Sequence, residues 1–107
     1  MGRVIALIIL PAFSVVANDV AAQGAGDPRE GLIVARQFCS ECHAVQQGQV
    51  GSPNSRSPTF VALANTPGMT ATALLVALTT PHAGMPMFIL TGEQRANIIA
   101  YILSLKE

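Results

Sequence analysis

Hydrophobic and polar positions divide this 107-residue chain into three regimes. From Val4 to Val16 the residues are almost all apolar, broken only by Pro11 and Ser14. From Asp27 onward, stretches with the spacing of amphipathic helices alternate with stretches rich in Gly, Ser and Pro. Asp27-Pro28-Arg29-Glu30 is a helix start, with an acid at the cap, proline at the first helical position and glutamate at the third. Beyond it Leu32, Ala35, Cys39 and Cys42 recur on one face, which predicts a first helix reaching to near Val45. Gln46 to Pro58 carries no helix or strand period and reads as a loop. Thr59 to Ala64 predicts one short helix, and Thr66-Pro67-Gly68 a turn. Thr70 caps a helix from Ala71 to about Leu78, with Ala71, Leu74, Leu75 and Leu78 on one side. Thr79 to Phe88 is irregular, because Pro81, Gly84 and Pro86 forbid a continuous helix. Thr91-Gly92-Glu93-Gln94 is a capping box for a last helix running to about Leu105. Apolar residues cover so wide an arc of that helix that it should be largely buried. No strand-period segment and no internal repeat is present, so the expected class is all-α, with four short helices.

The apolar run near the start reads as a leader. Arg3 is its basic flank, and Val20-Ala21-Ala22 offers small residues for cleavage before Gln23. The run falls short of the roughly 20 residues a spanning helix needs, which favours a cleaved signal over a retained anchor. The expected organisation is a signal peptide over 1–22 and a single domain over 23–107.

Cys39-Ser40-Glu41-Cys42-His43 carries the chemistry. C-x-x-C-H is the signature of c-type haem attachment, and the spacing has a mechanical reason. Residues three and four apart share one face of a helical turn. Cys39 and Cys42 can both reach one porphyrin edge and form thioethers to its two vinyl groups, while His43 presents an axial nitrogen to the iron. Other readings of the pair exist. Thiol-disulfide enzymes place C-x-x-C at the start of a helix after a strand, and nothing before Cys39 reads as a strand. A structural zinc needs four ligands, and the chain has two cysteines and two histidines in all, so His82 would have to join a cramped Cys42-His43 pair. A plain disulfide leaves His43 without a role.

A domain of this size has a marginal core of its own, and a covalent haem would supply a large apolar body for the helices to pack on. The haem-free chain is therefore expected to be unfolded or molten, a state that circular dichroism detects. Beyond the leader, Arg29, Arg36, Arg56, Arg95 and Lys106 balance Asp27, Glu30, Glu41, Glu93 and Glu107. No basic stripe supports nucleic-acid binding, and long-range steering toward a partner should be weak. Docking would rest on an apolar patch around an exposed haem edge.

The ordered pattern resembles the class I c-type cytochromes over essentially the whole expected mature chain. Three segments carry the resemblance: Gly31 followed at fixed distance by Cys39-Ser40-Glu41-Cys42-His43, then Met85-Pro86-Met87-Phe88, then Glu93 with Ile98-Ile99-Ala100-Tyr101-Ile102 and Leu105. The resemblance implies a cytochrome c fold of about four helices around one covalent haem c. It implies His43 as proximal and Met85 as distal axial ligand, with Pro58 (Pro53 being the second candidate) lending its carbonyl to the other nitrogen of His43. Gly31 and Tyr101 would mark the crossing of the first and last helices. Met87 and His82 are the competitors for the place of Met85, and Met69 fills core space. His/Met ligation raises the reduction potential, because a neutral thioether favours ferrous iron. Thioether attachment in this family takes place outside the bacterial cytoplasm, which agrees with the leader. The chain lacks tryptophan and a lysine ring, so it looks more like a small periplasmic cytochrome than the mitochondrial type.

The function this implies is a periplasmic one-electron carrier and not an enzyme. It would run between a dehydrogenase or quinol oxidoreductase and a terminal oxidase or reductase. Its partners are redox proteins, a membrane-bound respiratory complex among the candidates, with no small-molecule substrate. Two alternatives stand beside it: an electron-transfer subunit of a larger dehydrogenase complex, and a haem protein that reacts with peroxide or a small gas. The last needs an open axial site, for which His82 is the single distal polar candidate.

Overall fold

A computed structural model describes residues 1–2 and 26–107. The expected leader and its cleavage point before Gln23 lie, Met1 and Gly2 aside, outside the described residues. Four helices follow in order: α1 (Pro28–Phe38), α2 (Phe60–Ala64), α3 (Ala71–Thr79) and α4 (Gly92–Ser104). There is no strand among the described residues beyond one isolated bridge between His82 and Met85. The all-α expectation holds.

Each helix starts where its cap residue stands. Asp27 accepts from Arg29 N at 2.8 Å, Thr59 from Ala62 N at 3.1 Å and Thr70 from Ala73 N at 3.1 Å. Thr91 closes the expected capping box, accepting from Gln94 N (3.0 Å) while its own N–H donates to Gln94 Oε1 (2.9 Å). At α1 the reciprocal bond is made differently. Asp27 N donates not to Glu30 but to Oδ1 of Asn97, a buried residue of α4, at 2.8 Å. A tertiary contact thus caps the start of α1.

The α1–α4 crossing is the main helix packing of the molecule. It works because Gly31 has no side chain. A Cβ at that position would collide with the Asn97 carbonyl and stand 2.6 Å from Cβ of Tyr101. Around this crossing Val34, Ala35, Ile98, Tyr101 and Ile102 form the core, joined by Phe60 and Ala64 from α2 and by Leu74 from α3. Every residue of α4 from Ala96 to Leu103 is buried or half-buried, as its wide apolar arc predicts. The α3 face is narrower than expected: Leu74 is buried, whereas Leu75 and Val76 are exposed.

The first helix ends at Phe38, not near Val45. Cys39 N and Ser40 N both donate to Ala35 O (2.8 and 3.1 Å), and one further turn closes with His43 N on Cys39 O (2.9 Å). After that the backbone finds other partners. Cys42 O accepts from Asn54 N (3.1 Å), Ala44 N donates to Ser52 Oγ (3.0 Å), and Ala44 O accepts from Phe60 N (2.9 Å). Val45 O receives the Tyr101 hydroxyl at 2.5 Å. The loop over 46–58 folds back onto the Cys39–His43 turn and takes the groups a longer helix would have used.

Candidate functional site

The Cys39–His43 turn, the loop before α2, α3 and the segment before α4 enclose one large cavity. Its volume is about 550 Å³, within the ~300–1,000 Å³ usual for small-molecule and cofactor sites. Apolar side chains, among them Phe60, Leu74, Ile98 and Ile102, make much of its wall. Cys39, His43, Pro58, His82 and Met85 also line it. A smaller cavity of about 70 Å³ shares Cys39, His43 and Met85 with the first and adds Cys42. All five residues singled out from the sequence, Cys39, Cys42, His43, Pro58 and Met85, thus border one continuous region, although Met85 and Cys39 lie 46 positions apart in the chain.

His43 is held on two sides. Its Nδ1 lies 2.7 Å from the carbonyl oxygen of Pro58, which makes Nδ1 the protonated nitrogen and leaves Nε2 with a free lone pair. The Phe60 ring packs against the imidazole with centroids 5.5 Å apart, and Tyr101 packs behind Phe60 at 6.3 Å. Pro58, and not Pro53, is the proline at the imidazole. This arrangement fixes tautomer and ring orientation together, as partners of metal-binding histidines do.

The two cysteines are not joined to each other by a disulfide. Burial, and secondarily the neighbouring Cys42, pushes the Cys39 thiol up to about 11. A thiol so raised is protonated at neutral pH, the opposite of the low-pKa cysteine a disulfide oxidoreductase requires. The zinc alternative finds no site either: no three of His, Cys, Asp and Glu come together in ligating geometry among the described residues.

Met85 is half-buried and its N–H donates to His82 O at 3.3 Å, across a turn that Gly84 makes possible at φ +79°. Met87 is 50% exposed and is not among the residues lining the main cavity; it borders a crevice of about 10 Å³ beside it. Met69, half-buried, packs on the core from the cavity wall, in keeping with its filling role. Phe60, Ser52 and Asn54, which steady the histidine turn, were not singled out by sequence. Their signal was faint: a capped aromatic at the start of a five-residue helix, and two small polar residues in a loop full of them. Arg56, exposed at the cavity rim, was likewise passed over as one loop cation.

The donor set fits an iron porphyrin: two thiols on one turn, an imidazole with its outer nitrogen free, a thioether on a separate loop, and an apolar chamber between them.

Comparison with known proteins agrees. The family described as cytochrome c oxidase, cbb3-type, subunit III, matches residues 26–102. Cytochrome c-552 of Bradyrhizobium diazoefficiens is 33% identical over 91 residues, covering 85% of this chain and 86% of that protein. No solved structure matches. The motif, the helical fold and these two matches place the chain in the c-type cytochrome family, whose members carry covalently bound haem c and transfer electrons with it.

Proposed function

We propose that this protein is a periplasmic one-electron carrier, not an enzyme, with its haem joined to Cys39 and Cys42 and its iron held axially by His43 and Met85. Haem supplies a metal that accepts and returns a single electron. Cys39 and Cys42 fix the position of the group on one turn. The Pro58 carbonyl and the Phe60 ring keep the His43 imidazole in one tautomer and one plane. Met85 would hold the metal from the other loop with a neutral thioether, a donor that would favour the reduced state and leave no open position for peroxide or gases. Arg56 is the cation available at the rim for the haem carboxylates. The observation that carries this reading is the 2.7 Å contact from His43 Nδ1 to Pro58 O, which leaves Nε2 as the nitrogen available to a metal on a residue that borders the same chamber as Cys39 and Met85.

Donor and acceptor would be redox proteins: a dehydrogenase or quinol oxidoreductase on one side, an oxidase or reductase on the other. A redox titration followed by optical spectra tests the proposal. A single one-electron transition with a low-spin spectrum and a sulfur-to-iron band at the red end is expected. Loss of that band in Met87→Ala, but not in Met85→Ala, would reassign the distal ligand.

A second reading has its own support. The matching family is described as an oxidase subunit, and Met87, Phe88 and Ile89 expose apolar surface next to the Met85 loop. In that reading the chain is a resident electron-transfer subunit of a larger complex. Co-purification with a large partner through high salt supports the subunit; isolation as a free monomer supports the shuttle.

A further inference from the structure

We propose that His82 is a reserve axial ligand, which borders the same cavity as Met85 from the other end of one tight turn and takes the metal position when the Met85 sulfur leaves it. This rests on the His43/Met85 reading given above. The chain has two histidines, and both border this cavity. They are also prepared alike. His43 has Nδ1 on the Pro58 carbonyl at 2.7 Å, and His82 has Nδ1 on the Thr80 carbonyl at 3.2 Å. A backbone acceptor on Nδ1 is what leaves Nε2 of an imidazole as the metal-binding nitrogen.

His82 differs from His43 in how firmly it is held. Its hydrogen bond is longer and its side chain is exposed, so little needs to be broken to move it. It is paired to Met85 by the isolated bridge, with Gly84 at φ +79° reversing the chain between them. The two candidate donors therefore sit at the two ends of one four-residue turn. Exchange needs rearrangement of that turn and no disturbance of α3 or α4. Met87, the other nearby donor, is not among the residues lining the main cavity.

The consequence is chemical. Loss of the thioether from a His/Met site would normally open an axial position and invite reaction with peroxide. His82 closes that position again, at a lower potential, because an imidazole lacks the preference of the thioether for ferrous iron. The structure thus carries a safeguard against turning an electron carrier into a peroxidase.

Ferric Met85→Ala holoprotein tests this by electron paramagnetic resonance, with Met85→Ala/His82→Ala beside it. Expected are a low-spin bis-imidazole signal in the single variant and a high-spin signal in the double. High-spin signals in both, or low-spin signals in both, overturn the proposal. The wild-type spectrum separates this from failure of the parent reading: the sulfur-to-iron band is present if that reading stands and absent if it does not. Should Met85→Ala fail to fold, hydrogen peroxide treatment of wild type and His82→Ala gives the same answer. The thioether sulfur takes one oxygen in a two-electron oxidation and the peroxide leaves as water. The wild type should end low-spin and His82→Ala high-spin; the same spin state in both contradicts the inference.

Discussion

The two sides of the cavity are built by opposite means. On the His43 side, from Cys39 to Phe60, the backbone is tied back on itself by long-range hydrogen bonds, and the imidazole is wedged between a carbonyl and an aromatic ring. On the Met85 side, from Thr79 to Leu90, nearly every side chain is exposed, and a single bridge and one positive-φ glycine shape the turn. The first region is anchored in the core by Cys39, Ala44, Val45 and Phe60, and the second is draped over it. Changes on the first should therefore be read in stability, and changes on the second in the spectrum.

The largest effect should come from Phe60, 3% exposed and packed between His43 and Tyr101. Phe60→Ala should cost about 4 kcal/mol, which thermal unfolding of the holoprotein followed by circular dichroism measures. Ile89→Ala, at a fully exposed position of the opposite side, should stay within about 0.5 kcal/mol by the same assay. Equal losses at the two sites would erase the contrast.

Next is the helix crossing that supports the firm side. Gly31→Ala forces a methyl into the Asn97 carbonyl and the Tyr101 Cβ, both on α4, so the helices must part. A loss of about 3 kcal/mol is expected, or roughly 12–24 °C in Tm for a domain of this size. Gly84→Ala probes the other side. Nothing crowds a methyl there, and the cost is the left-handed backbone alone, about 1 kcal/mol. That variant should melt near wild type yet show a weakened sulfur-to-iron band. An unchanged band would mean that the Gly84 turn does not position Met85.

The last of these changes concerns Tyr101, whose hydroxyl donates to Val45 O from a buried position. Burial raises its pKa above the ordinary value of 10.0, against a smaller opposing pull from Arg36. The folded state then holds a proton that the unfolded state releases. This contribution to stability is complete below pH 10.0 and is lost as pH rises through the raised folded value. Tyr101→Phe should cost about 1 kcal/mol at neutral pH and show a flatter alkaline decline. Chemical denaturation at stepped pH decides it; parallel alkaline declines in the two proteins would remove Tyr101 as the cause.

Much of this fold was legible because it is locally encoded. Thr59, Thr70 and Thr91 announce helix starts with their own hydroxyls, and α4 closes its capping box within four residues. What stayed hidden depends on partners far away in the chain. The end of α1 at Phe38 is set by Ser52, Asn54 and Phe60, which take over the backbone groups after Cys39. The acceptor for the backbone N–H of Asp27, the cap of α1, comes from Asn97, a polar residue on an otherwise apolar helix face. The motif turn and the Met85 loop could be named in advance, since their chemistry lies in short runs of sequence. The clamp on His43 could be named only in part: Pro58 by resemblance, Phe60 not at all.

One digest tests the central claim most directly. Trypsin acting on the exported holoprotein cuts after Arg36 and Arg56 and frees the single peptide Gln37 to Arg56, which carries both cysteines and His43. That peptide should be coloured and heavier than its amino acids by one haem, with neither sulfur open to alkylation. A colourless peptide of bare mass, with both thiols alkylated, would contradict the account.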